Sequence, residues 1–271
     1  MPRVKANAIS MHYEQQGEGE PLVLIPYLAA DHACYAFQVA EYAKSFTCIS
    51  LDLRGTGESD KPPDAYTTEQ LADDVAAFMQ NAGIGRAHVS GLSLGGAVGL
   101  WLAAKYPEKV ASLSVHSGWA KSDPFQRTVV EGWQMLAQAV GVPDTIIRGI
   151  FPWCFTPELY ADKPDYIESL TAFVRSRPPQ SVPDFLAQSN AVLAHDVEAH
   201  LARIAAPTQI TFGRLDQLTS TRFADRLHHG IRNAELFIFD GCAHAPLYQE
   251  VAEFNQRTLA FLQRHTGAPV A

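Results

Sequence analysis

The pentapeptide Gly91-Leu92-Ser93-Leu94-Gly95 constrains the fold of this chain more than any other segment. A strand-like stretch precedes it at 87–90, and residues 96–105 are small and apolar enough for a buried helix. A strand, a tight turn and a helix in this order form a nucleophile elbow, which holds a serine hydroxyl clear of the backbone and facing a base. Glycine on either side of the serine removes side chains that would collide in so sharp a turn. The segment therefore predicts that Ser93 is a nucleophile, with the N-terminus of the next helix directed at the developing negative charge.

The surrounding chain decides how much this pattern means, because an isolated G-x-S-x-G also occurs by chance in loops of small residues. Through residue 117, apolar strand-like runs alternate with segments of helical periodicity. Such alternation predicts a mostly parallel sheet with helices on both faces. The predicted elements are a hairpin over 4–16, strands at 22–25, 46–51, 87–90 and 110–116, and helices at 33–44, 67–81 and 96–105.

The pattern changes after residue 118, where proline and aromatic residues become frequent and no clean strand is evident. Alternation resumes after Pro207. We therefore predict a helical cap inserted into an α/β core. The cap helices are predicted at about 124–140, 143–150, 164–177 and 183–194, followed by strands at 208–212 and 235–239 and helices at 221–229 and 247–264.

The composition restricts the classes of partner. The 271 residues carry a net charge of −8 without a basic run, which argues against nucleic acid or an anionic membrane as a partner. The N-terminal residues lack the apolar core of a secretory signal, and no apolar stretch approaches the roughly 18 residues of a membrane span. The four cysteines are widely spaced without a C-x-x-C motif, which is typical of thiols in a reducing compartment. We expect a cytoplasmic protein; its oligomeric state stays open.

Four segments give the chain a family resemblance. They are the loop after Ile25, the run Asp52-x-Arg54-Gly55-x-Gly57-x-Ser59, the elbow at 91–96 and the segment 241–244. In this order they resemble the α/β-hydrolase superfamily, and the likeness covers essentially the whole chain. The resemblance implies a mostly parallel, eight-stranded sheet with helices on both faces. The core domain would comprise 1–118 and 205–271, and the helical cap would comprise 119–204.

The resemblance also implies a catalytic triad in the chain order serine, acid, histidine. Ser93 would be the nucleophile, Asp216 the acid after the strand that follows the cap, and His244 the base after the last strand. Some relatives place the acid earlier, after the strand that ends near residue 117, so Asp123 is an alternative acid. Asp240 lies too close to a strand end to orient His244.

The oxyanion hole is where the sequence departs from the family pattern. The superfamily usually carries His-Gly after the strand that ends at Ile25, and Pro26-Tyr27 stands here instead. One donor would be the backbone N–H of Leu94, and the other would be the backbone N–H of Leu28. A second hypothesis assigns the second donor to the Tyr27 hydroxyl, because Pro-Tyr at this place resembles cocaine-esterase-type hydrolases. The alternative is that Tyr27 only packs against the cap.

The substrate pocket is predicted between Ser93 and the cap. A serine nucleophile disfavours haloalkane dehalogenase and epoxide hydrolase activity, which require aspartate at this position. No H-x-H or H-E-x-x-H pattern indicates a metal, and no cofactor is expected. Besides Tyr27 and Leu28, the predicted pocket residues are His116, Trp119, Trp133, Trp153, Phe155 and Leu218.

The chain is similar to small bacterial esterases and lactonases. It resembles 3-oxoadipate enol-lactonases and the N-acyl homoserine lactone hydrolases of this fold. The resemblance implies a carboxylic ester hydrolase or lactonase that works through an acyl-enzyme, with an N-acyl homoserine lactone as the leading substrate and quorum quenching as the role. The alternatives are a C–C bond hydrolase or a perhydrolase on the same triad, or a ligand-binding receptor with slow turnover.

Overall fold

The computed structural model describes residues 2–267, which form one eight-stranded sheet in the order β1-β2-β4-β3-β5-β6-β7-β8. The first hairpin is antiparallel, β2 pairs antiparallel with β4, and all later neighbours are parallel. The predicted α/β-hydrolase fold with a mostly parallel sheet is therefore confirmed. The strands are β1 (Arg3–Ala6), β2 (Ile9–Gln16), β3 (Glu20–Ile25), β4 (Phe46–Leu51), β5 (Ala87–Leu92), β6 (Val110–His116), β7 (Thr208–Gly213) and β8 (Ala234–Phe239).

Helices cover both faces of the sheet, which explains why the central strands are buried along their whole length. On one face, helices α2 and α3 pack together; on the other, α1 packs against the last helix, α12 (Val251–Arg264). Helix α2 is capped by the Thr67 side chain, which accepts from the Gln70 N–H, and it buries the apolar side chains spaced at three and four residues. The helices before the cap are α1 (Ala36–Tyr42), α2 (Thr68–Asn81) and α3 (Leu94–Lys105).

Six helices of 4 to 17 residues lie between β6 and β7, in the region predicted as the cap, and we use that name for residues 119–204. Several begin with proline in the first turn, where its missing N–H has no helical partner to lose. A π-helical segment, Ile146–Ile150, joins the second and third of these helices. The helices are α4 (Pro124–Val140), α5 (Val142–Thr145), α6 (Phe151–Cys154), α7 (Pro157–Asp162), α8 (Pro164–Ser176) and α9 (Val182–Leu193).

The predicted element pattern differs from the structure mainly where the helices are short. Helices α6 and α7 were not predicted, because four to six residues are too few to show a 3.6-residue period. The predicted helix 247–264 is divided at Glu250, whose non-helical backbone, with φ −125° and ψ 56°, separates two helices. The remaining helices are α10 (Ala224–Gly230), α11 (Pro246–Gln249) and α12 (Val251–Arg264). Among residues 2–267, none of the helices combines the length and hydrophobicity that crossing a membrane requires.

Candidate active site

Ser93 lies in a sharp turn between β5 and α3, with backbone angles φ 55° and ψ −118°. A non-glycine residue rarely adopts a positive φ, and the surrounding backbone holds this one in place. The Ser93 N–H donates to the His116 carbonyl at 2.8 Å, and its own carbonyl accepts from the Ala97 N–H at 3.0 Å. A Cβ on Gly91 would lie 2.2 Å from the backbone of Gly95, so the turn requires glycine there. The elbow predicted from the sequence is present in full.

His244 and Asp216 are buried side by side at the same edge of the sheet. The His244 Nδ1 lies 2.9 Å from the Asp216 Oδ2, and His244 shares a cavity wall with Ser93. With Nδ1 directed at the carboxylate, the opposite ring nitrogen, Nε2, is left for proton transfer. Of the three residues that sequence order suggested, His244 and Asp216 are in hydrogen-bond contact, and Ser93 and His244 line the same cavity.

The Asp216 carboxylate is held by several donors besides the imidazole. Its Oδ1 accepts from the backbone N–H groups of Leu218 and Thr219, at 2.8 and 3.1 Å. Burial would raise the pKa of Asp216, but the charge and hydrogen bond of His244 and the donors of Thr219 outweigh it and lower the pKa below its ordinary value. Asp216 is therefore ionised at neutral pH and able to stabilise a protonated imidazole.

Thr219 and Ser117 connect the two loops that carry the acid and the base. The Thr219 hydroxyl lies 2.8 Å from the Asp216 Oδ2, 3.1 Å from the His244 Nδ1 and 3.0 Å from the Ser117 carbonyl oxygen. The Ser117 hydroxyl in turn donates to the His244 carbonyl at 2.8 Å. Sequence analysis missed both residues, although a threonine three residues after the acid is a common local hydrogen-bonding pattern.

The two other candidate acids are engaged elsewhere. Asp123 caps α4 by accepting from the Gln126 N–H at 2.8 Å, and its other oxygen lies 2.7 Å from the Arg222 Nε. Asp240 is largely exposed and pairs with Arg214. Neither carboxylate is hydrogen-bonded to His244, so the geometry favours Asp216 as the acid of the triad.

Two backbone N–H groups are available for an oxyanion hole. Leu94 is the first residue of α3, where the N–H groups have no acceptor within the helix. Within residues 2–267, the Leu28 N–H has no acceptor either, and Leu28 lines the cavity. A Cβ on Gly95 would lie 2.1 Å from the Ile25 carbonyl oxygen, so the start of α3 and the loop after β3 are in close contact. Both candidate donors therefore belong to adjoining segments despite the loss of the usual His-Gly.

The Tyr27 hydroxyl is engaged in a hydrogen-bond chain. It lies 2.8 Å from the Tyr248 hydroxyl, which itself donates to the Cys34 carbonyl at 2.6 Å. Because Tyr248 has a single proton to give, Tyr27 must be the donor in the pair. Burial, together with these neighbours, raises the pKa of Tyr27 well above its ordinary value. Its proton is thus directed at Tyr248 and away from an oxyanion.

The cavity beside Ser93 is lined mostly by apolar side chains from the cap and from the loops at the sheet edge. The lining contains one ion pair, in which the Arg177 Nε lies 2.8 Å from the Asp31 Oδ2. Because each charge has a partner, this pair offers little to a charged ligand. Of the predicted pocket residues, the lining includes Tyr27, Leu28, Trp119, Trp133, Phe155 and Leu218.

Two predicted pocket residues lie elsewhere. His116 is buried in the core, between the Ser90 and Thr211 hydroxyls, and burial lowers its pKa to about 3. Its neighbour Val115 lies next to α3, and because side chains alternate along a strand, His116 points to the opposite face, where it contacts Phe254. His116 is therefore a neutral core residue.

Trp153 is on the wrong face of its helix to line the cavity. Phe151 and Cys154 lie three residues apart on one face of α6 and line the cavity, as does Phe155 directly after the helix. Trp153 lies off that face and packs edge-on against Phe125, which is about half exposed. The prediction for Trp153 is wrong for this reason.

A cluster of His12, His32 and Asp52 is the one group of possible metal ligands found within residues 2–267. Both imidazole Nδ1 atoms lie 2.8 Å from the Asp52 carboxylate, which also accepts from the backbone N–H groups of His32 and Glu58. These are hydrogen-bond distances, and the carboxylate is saturated by donors. The cluster therefore braces the loop after β4.

Comparisons with known proteins agree with the fold. A family model described as alpha/beta hydrolase fold matches residues 20–251. A protein of Azorhizobium caulinodans named "Putative carbamate hydrolase RutD" is 28% identical over 261 residues, which cover 96% of this chain and 98% of that protein. The 3-oxoadipate enol-lactonase 2 of Acinetobacter baylyi is 26% identical, over 96% of this chain and 95% of its own. The crystal structure of the enol-lactonase from Burkholderia xenovorans LB400 superimposes with a TM-score of 0.87 and 25% identity, over 97% of this chain and all of that one.

Proposed function

Because the chain belongs to the α/β-hydrolase family, we propose that it is a serine hydrolase that opens lactones, with an N-acyl homoserine lactone as its substrate. The observation that carries the proposal is the pairing of His244 with Asp216 beside the cavity on which Ser93 opens. Two of the relatives described above are named enol-lactonases, and a lactone is an internal ester that such a site would hydrolyse.

The reaction proceeds in two steps. His244 accepts the proton of Ser93 as the serine Oγ attacks the lactone carbonyl, and it then gives that proton to the ring oxygen as the ring C–O bond breaks. The product is an acyl-enzyme that still carries its new hydroxyl group. In the second step, His244 takes a proton from a water molecule that attacks the ester carbonyl, and returns it to Ser93 as the free hydroxy acid leaves. The N–H groups of Leu94 and Leu28 stabilise the negative oxygen in both steps.

The cavity supports a neutral substrate with an apolar chain. Its walls are aliphatic and aromatic, and its only ion pair is internally balanced among the described lining residues. The apolar surface would bind an acyl chain, while a charged acid product would gain nothing from the walls. The cavity wall therefore favours the neutral substrate over the charged product, which promotes product release.

The test compares Ser93→Ala with Ser114→Ala, a buried serine whose hydroxyl has no partner among the described residues. We expect the first variant to lose hydrolysis of N-hexanoyl homoserine lactone by several orders of magnitude and the second to keep it. In the wild type, mass spectrometry after rapid quenching should find the acyl group on Ser93. Full activity in Ser93→Ala would overturn the proposal.

The substrate panel also decides among other activities. Carbamates are included because of the relative from Azorhizobium caulinodans, and ring-fission diketones test C–C bond hydrolysis on the same triad. Peracid formation tests perhydrolase activity. Ligand-induced stabilisation without turnover would indicate a receptor. Only preferential hydrolysis of the lactone supports the proposal.

Quorum quenching in the cytoplasm is the role that follows from this proposal. The four cysteines are unpaired, as is usual where thiols stay reduced. The proposed partner is thus the small lactone itself, with no nucleic acid, membrane or cofactor. A fusion to a redox-sensitive reporter would test the compartment.

A further inference from the structure

Nearly all polar side chains in the cavity wall are satisfied by other parts of the protein. Trp119 donates its indole N–H to the Ser122 hydroxyl, and Trp133 donates to the Gly149 carbonyl. The hydroxyl of Thr56 donates to the Leu53 carbonyl. The tyrosine pair and the ion pair described above are likewise complete. A ligand would therefore find few groups ready to bind its polar atoms.

Two glutamines are exceptions in this wall, and Gln126 is the less engaged of the two. Its side chain is 2% exposed, its Oε1 is fully buried, and within residues 2–267 its amide makes no hydrogen bond at either end. It lies on α4 with Val130 and Trp133, at the spacing of four and seven residues that defines one helix face, and all three line the cavity. An apolar residue would serve packing on this face better, because a buried amide without a hydrogen-bond partner destabilises the fold.

The amide of Gln126 is free to present either of its ends to a ligand. The terminal torsion of glutamine is soft and roughly two-fold, and no hydrogen bond is broken when it rotates. A primary amide carries both a donor and an acceptor, so its complement is a group that also carries both. A secondary amide fits this requirement, because its C=O and N–H are close together.

We propose that Gln126 recognises a secondary amide in the substrate and makes the enzyme selective for lactones that carry an N-acyl substituent. The inference rests on the proposed function and adds the group that binds the amide. Gln180 supports it, because its buried Oε1 also has no partner and it lines the same cavity, while its Nε2 is held by the Gly55 carbonyl. The cavity therefore has an unpaired acceptor in addition to the Gln126 amide.

The experiment uses two lactones that differ only in the amide. N-hexanoyl homoserine lactone has an amide next to the ring, and α-heptyl-γ-butyrolactone has the same ring and a chain of equal length without it. We compare kcat/KM for both in the wild type, in Gln126→Leu and in Gln138→Leu, a control on the exposed side of α4. The ratio of the two values should fall about tenfold in Gln126→Leu, as expected for a lost hydrogen bond, and stay constant in the control.

The thermal stability of the variants separates recognition from a structural role. Replacing an unpaired amide by leucine should leave Tm unchanged or raise it. If Gln126→Leu lowers Tm and lowers kcat/KM for both lactones by the same factor, Gln126 is a structural residue and the proposal is wrong. An unchanged ratio with an unchanged Tm would also overturn it.

Binding measurements test the role of Gln126 independently of turnover. In Ser93→Ala, calorimetry should show tighter binding of the N-acyl lactone than of the alkyl lactone, and Ser93→Ala/Gln126→Leu should lose this preference. If the wild type hydrolyses neither lactone, the proposed function fails, while the binding preference still tests Gln126. If both variants prefer the N-acyl lactone to the same extent, the role of Gln126 is contradicted, while the proposed function is not.

Discussion

Tyr27 illustrates how the position of one hydroxyl proton determines the chemistry available to a residue. The sequence made this hydroxyl a candidate oxyanion donor, because Pro-Tyr replaces the usual His-Gly. In the structure its proton points to Tyr248, whose own proton is given to the Cys34 carbonyl. A donor that is committed in this way would have to leave a buried partner unpaired to reach an oxyanion.

We therefore expect Tyr27→Phe to keep kcat within about an order of magnitude of the wild type, whereas loss of an oxyanion donor costs on the order of 10²–10³-fold. Steady-state kinetics with a p-nitrophenyl ester measures the effect. Tyr248→Phe removes the acceptor of the same chain and serves as the matched variant. A loss of a hundredfold in Tyr27→Phe, with Tyr248→Phe active, would restore the hydroxyl as an oxyanion donor.

At the scale of elements, the loop after β3 is joined to the cap by two sets of polar contacts. Asp31 in this loop pairs with Arg177, the residue after α8. The Ala29 N–H donates to the Gln188 Oε1 on α9, at 3.2 Å. The loop that carries the Leu28 N–H is therefore positioned in part by the cap. Any movement of α8 or α9 would also move this candidate oxyanion donor.

His32 should make the stability of this junction depend on pH. The hydrogen bond with Asp52 raises the pKa of His32 above 6.5, against the opposing effect of burial, and Asp31 and Arg177 also face it. A histidine whose pKa is higher in the folded than in the unfolded protein stabilises the folded state. This stabilisation is complete below the pKa of the unfolded protein and is lost as the pH rises through the pKa of the folded protein. The contribution should therefore be largest below about pH 6.5 and decline above it.

Urea denaturation at about pH 5.5 and about pH 8.5 tests this expectation in the wild type and in His32→Gln. The difference in unfolding free energy between the two proteins should be larger at the lower pH. His229→Gln, at an exposed position of α10, is the control and should show no such trend. A difference that grows with pH would contradict the assignment.

At the scale of the whole molecule, packing determines which of two acids pairs with the catalytic histidine, because the order of residues in the chain allows either one. Asp123 and Asp216 follow neighbouring strands, β6 and β7, and both are near the same sheet edge. Asp123 became the cap of α4 and the partner of Arg222, whereas Asp216 is buried against His244.

We expect Asp216→Asn to lower kcat by about 10³–10⁴-fold, because the imidazole loses the anion that orients it and stabilises its cation. Asp123→Asn should keep kcat within a few-fold, since asparagine is an equally good helix cap. The pH profile of kcat/KM, with circular dichroism as a check of folding, measures both. A larger loss in Asp123→Asn than in Asp216→Asn would reverse the assignment.

Short-range patterns explain most of what could be predicted. The period of apolar residues located the strands and the longer helices, and the elbow followed from two glycines and a serine. The same patterns were insufficient for Trp153 and His116, because an aromatic or polar residue beside a site gives no indication of which way it points. Sequence analysis did not single out Gln126, because only the cavity and the absence of a hydrogen-bond partner give that position a meaning.

The sequence by itself determined the alternation of strands and helices and the elbow, because these depend on backbone geometry and on residues near one another in the chain. The order of the candidate triad came from the resemblance to the α/β-hydrolase superfamily. The tertiary structure decided which acid meets His244, which aromatic side chains line the cavity and where the Tyr27 proton points. These depend on contacts between distant residues, such as Tyr27 and Tyr248, which are separated by 221 positions. No local pattern encodes such a contact, because it exists only when the sheet edge and the cap have assembled around the same cavity.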